Sequence, residues 1–176
     1  MSSLMLFKKI LVPYDGSKPS DHALEQAIEL AKLVKSNYND TSNDNDVHII
    51  LLYVCQEILV PAMIERSMRS PKTGEVTTVS ELIKDLNEEV RTNMSKMLDE
   101  KKHKYAVKDD VIIETMSLVG GGPPADKIVD FANNQKVDLI VVIGNVGLSG
   151  LSKVKALGSV SRSVSERASC PVLIIH

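Results

Sequence analysis

The sequence predicts an α/β protein: a five-stranded parallel sheet, doubly wound and Rossmann-like, in three layers. Three observations lead there. Short β-rich apolar runs alternate with longer stretches of helical period, the order that builds βαβ units. The strand runs are apolar on consecutive residues, as strands covered on both faces are. The chain has 176 residues, 43% of them apolar, which suits one hydrophobic core. A single domain over 1–176 is therefore expected.

The elements follow in order. Phe7–Tyr14 reads as a buried strand with Pro13 at its end, where a missing N–H costs least. Asp15-Gly-Ser-Lys-Pro-Ser20 is turn chemistry, with Ser17 or Ser20 as the cap of a following helix. Ala23, Leu24, Ala27, Ile28, Ala31 and Val34 recur along that helix at its period. Residues 36–46 are polar and Asn/Asp-rich, the composition of a mobile loop. His48–Val54 is a second buried strand.

Residues 56–79 form a long excursion with room for one helical turn, and loops of that length are often functional. From about Ser80, Leu82, Leu86, Val90, Met94, Met97 and Leu98 mark a long amphipathic helix. Val111–Leu118 is a third strand, followed by a Gly/Pro stretch at 120–124 that either just turns the chain or borders the crevice at the sheet edge. A helix carries Ile128, Val129 and Phe131 inward. Val137–Ile143 is the fourth strand, residues 144–158 a Gly/Ser-rich loop, and Ser159 to about Ala168 a short helix. Pro171–His176 is the last strand.

Charge and composition exclude several function classes. Twenty-one basic against 23 acidic residues leave a net charge of −2, so no broad basic field exists for nucleic acid or an anionic membrane. The start lacks a secretory pattern and no run is long and apolar enough to span a bilayer, which predicts a cytoplasmic protein. Two cysteines and four scattered histidines make neither a disulfide framework nor a metal-ligand spacing. Cys170, before Pro171, is expected to be buried and inert. A Walker A loop, an early Gly-x-Gly-x-x-Gly and a phosphorylatable Asp at the end of the third strand are all missing. The loop Asp15-Gly-Ser-Lys-Pro likewise differs from the Ser-Gly-Gly-x-Asp-Ser of ATP pyrophosphatases.

In doubly wound sheets ligands sit beyond the carboxyl ends of the strands, here Tyr14-Asp15, Val54-Cys55 and Ile143-Gly144. Gly144, Gly147, Gly150 and Gly158-Ser159 lie on the stretch that leaves the fourth strand. Glycine lets backbone approach a ligand closely, and the amides of a following helix N-terminus receive phosphate oxygens. Hydroxyls of Ser159 and Ser161 would add donors. Two readings stay open on these residues alone: a phosphate cradle, or a loop whose glycines only make its turns.

The same residues resemble the universal stress protein family, whose nucleotide-binding members carry Gly-x2-Gly-x9-Gly-[Ser/Thr]. The resemblance extends to Lys8-Lys-Ile-Leu-Val-Pro-Tyr-Asp-Gly-Ser17, Ile49-Ile-Leu-Leu-Tyr-Val54, Val137-Asp-Leu-Ile-Val-Val-Ile-Gly144 and Cys170-Pro-Val-Leu-Ile-Ile175. It implies an adenine nucleotide alpha hydrolase-like fold. It also implies a binding switch for ATP (or AMP or ADP), with Mg²⁺ and at most slow hydrolysis. By position, Asp15 would meet the ribose or the metal, and Pro13 and Tyr14 would flank the adenosine. Ile49 matches the apolar position whose backbone meets adenine. Ile143, Gly144, Gly147, Gly158, Ser159 and Val160 would take the ribose and phosphates. The resemblance further implies a homodimer paired through strand 171–175, with the downstream partner unspecified.

Two departures bear on this. Ten residues, Leu148–Leu157, separate Gly147 from Gly158 where the family pattern has nine, and Val146 stands where members often carry Arg or His. The extra residue either bulges outward or displaces Gly158 and Ser159 by up to the ~3.3–3.6 Å that one residue spans. The second outcome would leave a dimeric scaffold that no longer binds nucleotide. No arginine-finger candidate or placed general base is evident, so binding rather than turnover is expected. A bulky residue at Gly144 or Gly158 is expected to abolish binding while sparing the fold.

Overall fold

The computed structural model describes residues 7–36, 46–58, 60–64, 66–109, 111–144 and 157–176. Strand β1 (Lys9–Pro13) leads through helix α1 (Lys18–Ser36) to β2 (His48–Cys55). A short antiparallel hairpin follows, β3 (Ser67–Arg69) with β4 (Val76–Thr78), and then the long helix α2 (Val79–Asp109). The chain continues as β5 (Ile112–Val119), α3 (Pro124–Gln135), β6 (Leu139–Ile143), α4 (Ser159–Arg167) and β7 (Val172–Ile175).

The five longer strands form one parallel sheet in the order β5-β2-β1-β6-β7. The chain thus builds outward from β1 on one side, crosses back and builds outward on the other. The strand order reverses between β1 and β6, and a crevice opens at such a reversal. Alternate residues of the same strands supply the two faces, as the two-residue period of a strand requires. Ile10, Val12, Ile49, Leu51 and Val141 pack under α1 and the C-terminal half of α2. Leu11, Ile50, Leu52, Ile140 and Val142 pack under α3 and α4. These are the three layers expected from the consecutive apolar runs.

Local chemistry fixes the joints. Asp138 Oδ2 accepts the amides of Lys8 (3.0 Å) and Lys9 (2.8 Å), which ties the start of β6 to the start of β1. Of the two serines that suit the α1 cap, Ser17 takes the role: its Oγ accepts the amide of Ser20 at 3.2 Å. The buried Ser20 hydroxyl turns back to Ser17 O at 2.8 Å. α3 begins on Pro123-Pro124 and ends on Lys136 in the left-handed region, φ 52°, the usual way of closing a last turn.

The excursion at 56–79 holds more structure than its composition suggested. The expected helical turn is a 3₁₀ turn at Ala62–Ile64, and the hairpin follows it. Pairing of three-residue strands is set by the turn, not by apolar alternation: Gly74 adopts φ +74°, and Ser70 N donates to Glu75 O at 2.8 Å. α2 starts at Val79, behind a reciprocal cap. Glu81 N donates to Thr78 Oγ1 (3.2 Å) while Thr78 N donates to Glu81 Oε2 (3.1 Å), a capping box. No residue from 79 to 96 is buried, whereas Leu98 and Tyr105 are. The first half of α2 therefore projects from the core beside the hairpin.

Candidate functional site

A cleft of about 270 Å³ opens at the carboxyl end of the sheet, across the reversal. Its walls come from the ends of β1 (Pro13, Tyr14), β2 (Leu52, Tyr53, Val54) and β6 (Val142, Ile143). Among the described residues, Asp15, Pro124 and Ile128 from α3, and Gly158–Ser161 at the start of α4 also line it. The floor is apolar because these strands are apolar on both faces and end together here.

The polar groups gather at the rim. Asp15 Oδ1 accepts the amide of Ser17 at 3.0 Å, a turn local to the loop. Burial alone would raise the Asp15 carboxyl, but hydrogen bonds from Ser17 and Ser20 outweigh it and hold it below the ordinary aspartate value. It is an anion at neutral pH. α4, whose first turn also lines the cleft, is preceded by Gly158, which provides no side-chain cap. The first amides of α4 thus lie along the cleft wall with the positive end of the helix dipole. The Ser161 hydroxyl is not available as the extra donor expected of it. It is buried and donates to Ile143 O at 2.5 Å, fastening α4 to the end of β6.

Seven of the ten residues singled out from sequence come together here: Pro13, Tyr14, Asp15, Ile143, Gly158, Ser159 and Val160. Gly147 and Val146 lie outside the described residues, as do most of the Gly/Ser-rich loop and residues 37–45. Ile49 is not brought to the cleft. It lies near the start of β2 opposite Ile10, fully buried in the layer under α1, and the cleft wall begins three residues on at Leu52, which pairs with Pro13. The strand ends of β2 and β6 were readable as the sheet's carboxyl edge. Pro124 closes the Gly/Pro stretch expected either to turn the chain or to border this crevice, and it lines the cleft; the contribution of Ile128 was not readable, because it depends on how α3 crosses that edge.

Gly144 is also absent from the wall, and its role is different. A Cβ there would meet His176 Cε1 and Nδ1 at 2.5 Å and Ile174 Cγ2 at 2.7 Å. Its amide donates to Ile175 O at 2.6 Å. Gly144 lets the end of β7 close onto β6, so a bulky residue would disturb the fold itself, contrary to expectation. Gly158 adopts φ −60°, ψ 155°, a conformation open to any residue. Cys170 proves half-buried, and burial pushes its thiol up, keeping it protonated.

Tyr14 links the cleft to the helices behind it. Only 3% exposed, it donates its hydroxyl to Asp21 Oδ1 at 2.5 Å. Burial, then that hydrogen bond, pushes the Tyr14 phenol well above its ordinary value. Asp21 also accepts Lys101 Nζ of α2 at 2.5 Å. Burial would raise the Asp21 carboxyl, but Lys101 and Tyr14 outweigh it and the net shift is downward.

Among the described residues, no group of three or more His, Cys, Asp or Glu is placed to hold a metal ion. No described helix is long and apolar enough to cross a membrane. A parallel sheet in the order β5-β2-β1-β6-β7 with helices on both faces defines the class of doubly wound α/β proteins. Within that class, the model of the universal stress protein family matches residues 6–176, and the chain belongs to this family. Universal stress protein YxiE of Bacillus subtilis is 34% identical over 171 residues, covering 97% of this chain and 100% of its own. Universal stress protein UspA from Lactobacillus plantarum shares the fold at a TM-score of 0.70 and 20% identity, covering 97% of this chain and 98% of that one. An Arabidopsis thaliana member with AMP bound superposes at 0.57 with 24% identity, covering 96% and 90%. Universal stress proteins in complex with dAMP (Archaeoglobus fulgidus; 20% identical, 0.56, covering 97% and 99%) and with cAMP (24%, 0.58, 97% and 98%) have the same fold.

Proposed function

We propose that this cleft binds an adenine nucleotide and that the protein works as a nucleotide-dependent switch in a stress response, hydrolysing slowly or not at all. The observation that carries the reading is a convergence at the strand reversal. An apolar slot fit for a base, the Asp15 carboxylate and an uncapped helix N-terminus all line one cleft. Asp15 suits ribose hydroxyls, and the first amides of α4 suit phosphate oxygens. The AMP, dAMP and cAMP complexes of relatives support the adenine assignment. ATP would extend along the α4 side, and Mg²⁺ would be held through its phosphates with Asp15 as the protein carboxylate on the wall. When bound, that ion supplies charge neutralisation between the phosphates.

The test is mass spectrometry of nucleotide released from purified protein, with calorimetry of added Mg-ATP and AMP on the stripped sample. Stoichiometric binding that Gly158→Val abolishes without loss of fold is the expected result. No release and no heat would overturn it in favour of the dimeric scaffold. That second reading has its own support in the ten-residue Gly147–Gly158 spacing. Under either reading the chain is proposed to pair through residues 171–175, since β7 is an edge of the sheet with Leu173 exposed and uncovered apolar edges are hazardous.

A further inference from the structure

We infer that Asp21 and Lys101 are positioning residues for the cleft: from behind, they fix the Tyr14–Asp15 segment that forms its wall. Tyr14 and Asp15 line the cleft, yet the hydroxyl of Tyr14 points away from it to Asp21 on α1. Asp21 Oδ1 receives two donors at 2.5 Å, one from Tyr14 and one from Lys101 on α2. Gly16, φ +83°, sits against the same helix, with Met97 Sδ 2.8 Å from where a Cβ would lie. Tyr14 and Gly16, the residues on either side of Asp15, are thus both braced by α2, more than eighty positions later in the chain.

The two helices share a second tie that does not reach the cleft. Tyr105 donates to Glu25 Oε1 at 3.1 Å. Asp21 and Glu25 are four apart on α1, as Lys101 and Tyr105 are on α2, so both pairs lie on facing surfaces one turn apart. Both ties hold α1 to α2 and Tyr105 shares the buried cluster of Tyr14, but the Tyr14 hydroxyl donates its hydrogen bond to the Asp21–Lys101 tie. Lys101 and Asp21 side chains are 22% and 31% exposed, so the pair is partly shielded from solvent screening.

The experiment compares the full-length wild type with Lys101→Met, Lys101→Arg, Asp21→Asn and Tyr105→Phe. The amides of Tyr14 and Ser17, bonded to Leu52 O and Asp15 Oδ1, report the segment by hydrogen exchange without ligand. Calorimetry with AMP reports the cleft, and thermal melts report the fold. Lys101→Met and Asp21→Asn are expected to speed exchange at these amides and weaken AMP about tenfold, the effect of one lost charged hydrogen bond. Lys101→Arg should restore both, and Tyr105→Phe should lower the melting temperature alone. Unchanged exchange in Lys101→Met and Asp21→Asn would overturn the inference, as would Tyr105→Phe matching Lys101→Met in every readout. The affinity effect presupposes the nucleotide reading, but the exchange effect does not. A wild type that binds no AMP therefore refutes that reading and leaves the exchange comparison decisive.

Discussion

Single residues at the carboxyl edge divide into those that shape the cleft and those that only let the chain pass. Gly144 is of the second kind. Gly144→Val would drive a side chain into His176 and Ile174, and such overpacking costs about 1–3 kcal/mol. Urea unfolding should show that loss, whereas Gly158→Val should unfold near the wild-type midpoint and differ in nucleotide binding. Asp15 and Asp21 have carboxyls held below the ordinary value. The folded state favours their ionised forms, so their contribution to stability is present above about pH 4 and is lost as pH falls below it. Melting temperature followed from pH 6 to about pH 3 should decline, and Asp21→Asn should flatten the decline. Tyr14, raised above its ordinary value, acts at the other end. Its contribution holds at neutral pH and is lost as pH rises beyond about 10.

At the scale of elements, α2 is one helix with two environments. Its second half is anchored by Leu98, Lys101 and Tyr105, while its first half carries exposed Leu86 and Val90, and Met63, Met68 and Val76 of the preceding excursion and hairpin are exposed too. Local chemistry therefore matters more at its start than packing does. Thr78→Ala removes one arm of the capping box and should raise amide exchange in the first turn of α2 about fivefold. Exchange around Leu98 should stay as it is. The capping box was legible as Thr78-x-x-Glu81 directly before an apolar helical period. The helix start at Ser80 came from the apolar positions alone, which begin later than the cap. The hairpin was not legible, because three-residue strands of mostly polar residues give no two-residue alternation to read.

For the whole molecule, the sheet order decides what meets what. β1, β2 and β6 end together because β6 docks on the free side of β1, and Asp138 holds the two starts in line. β7 is thereby left at an edge. If it pairs with a second copy, Leu173→Lys should convert the protein to a monomer in sedimentation velocity at unchanged fold. A wild type that sediments as a monomer would remove the dimer from both functional readings.

The sequence by itself determined the layers and their order, because consecutive apolar runs and helical periods are local signals of burial. It also marked Tyr14-Asp15, Ile143 and Gly158-Ser159, since turn and glycine chemistry at strand ends is local too, while Pro13 and Val160 came from the family resemblance. Only the tertiary structure decided that the cleft wall on β2 is Leu52–Val54, not Ile49, for a strand's register with its neighbours is set by pairing across the sheet. Only the structure, again, gave Gly144 its reason in His176 and tied Tyr14 to Lys101 through Asp21. Contacts between residues so far apart in sequence exist only once the sheet has assembled and the helices have docked on it.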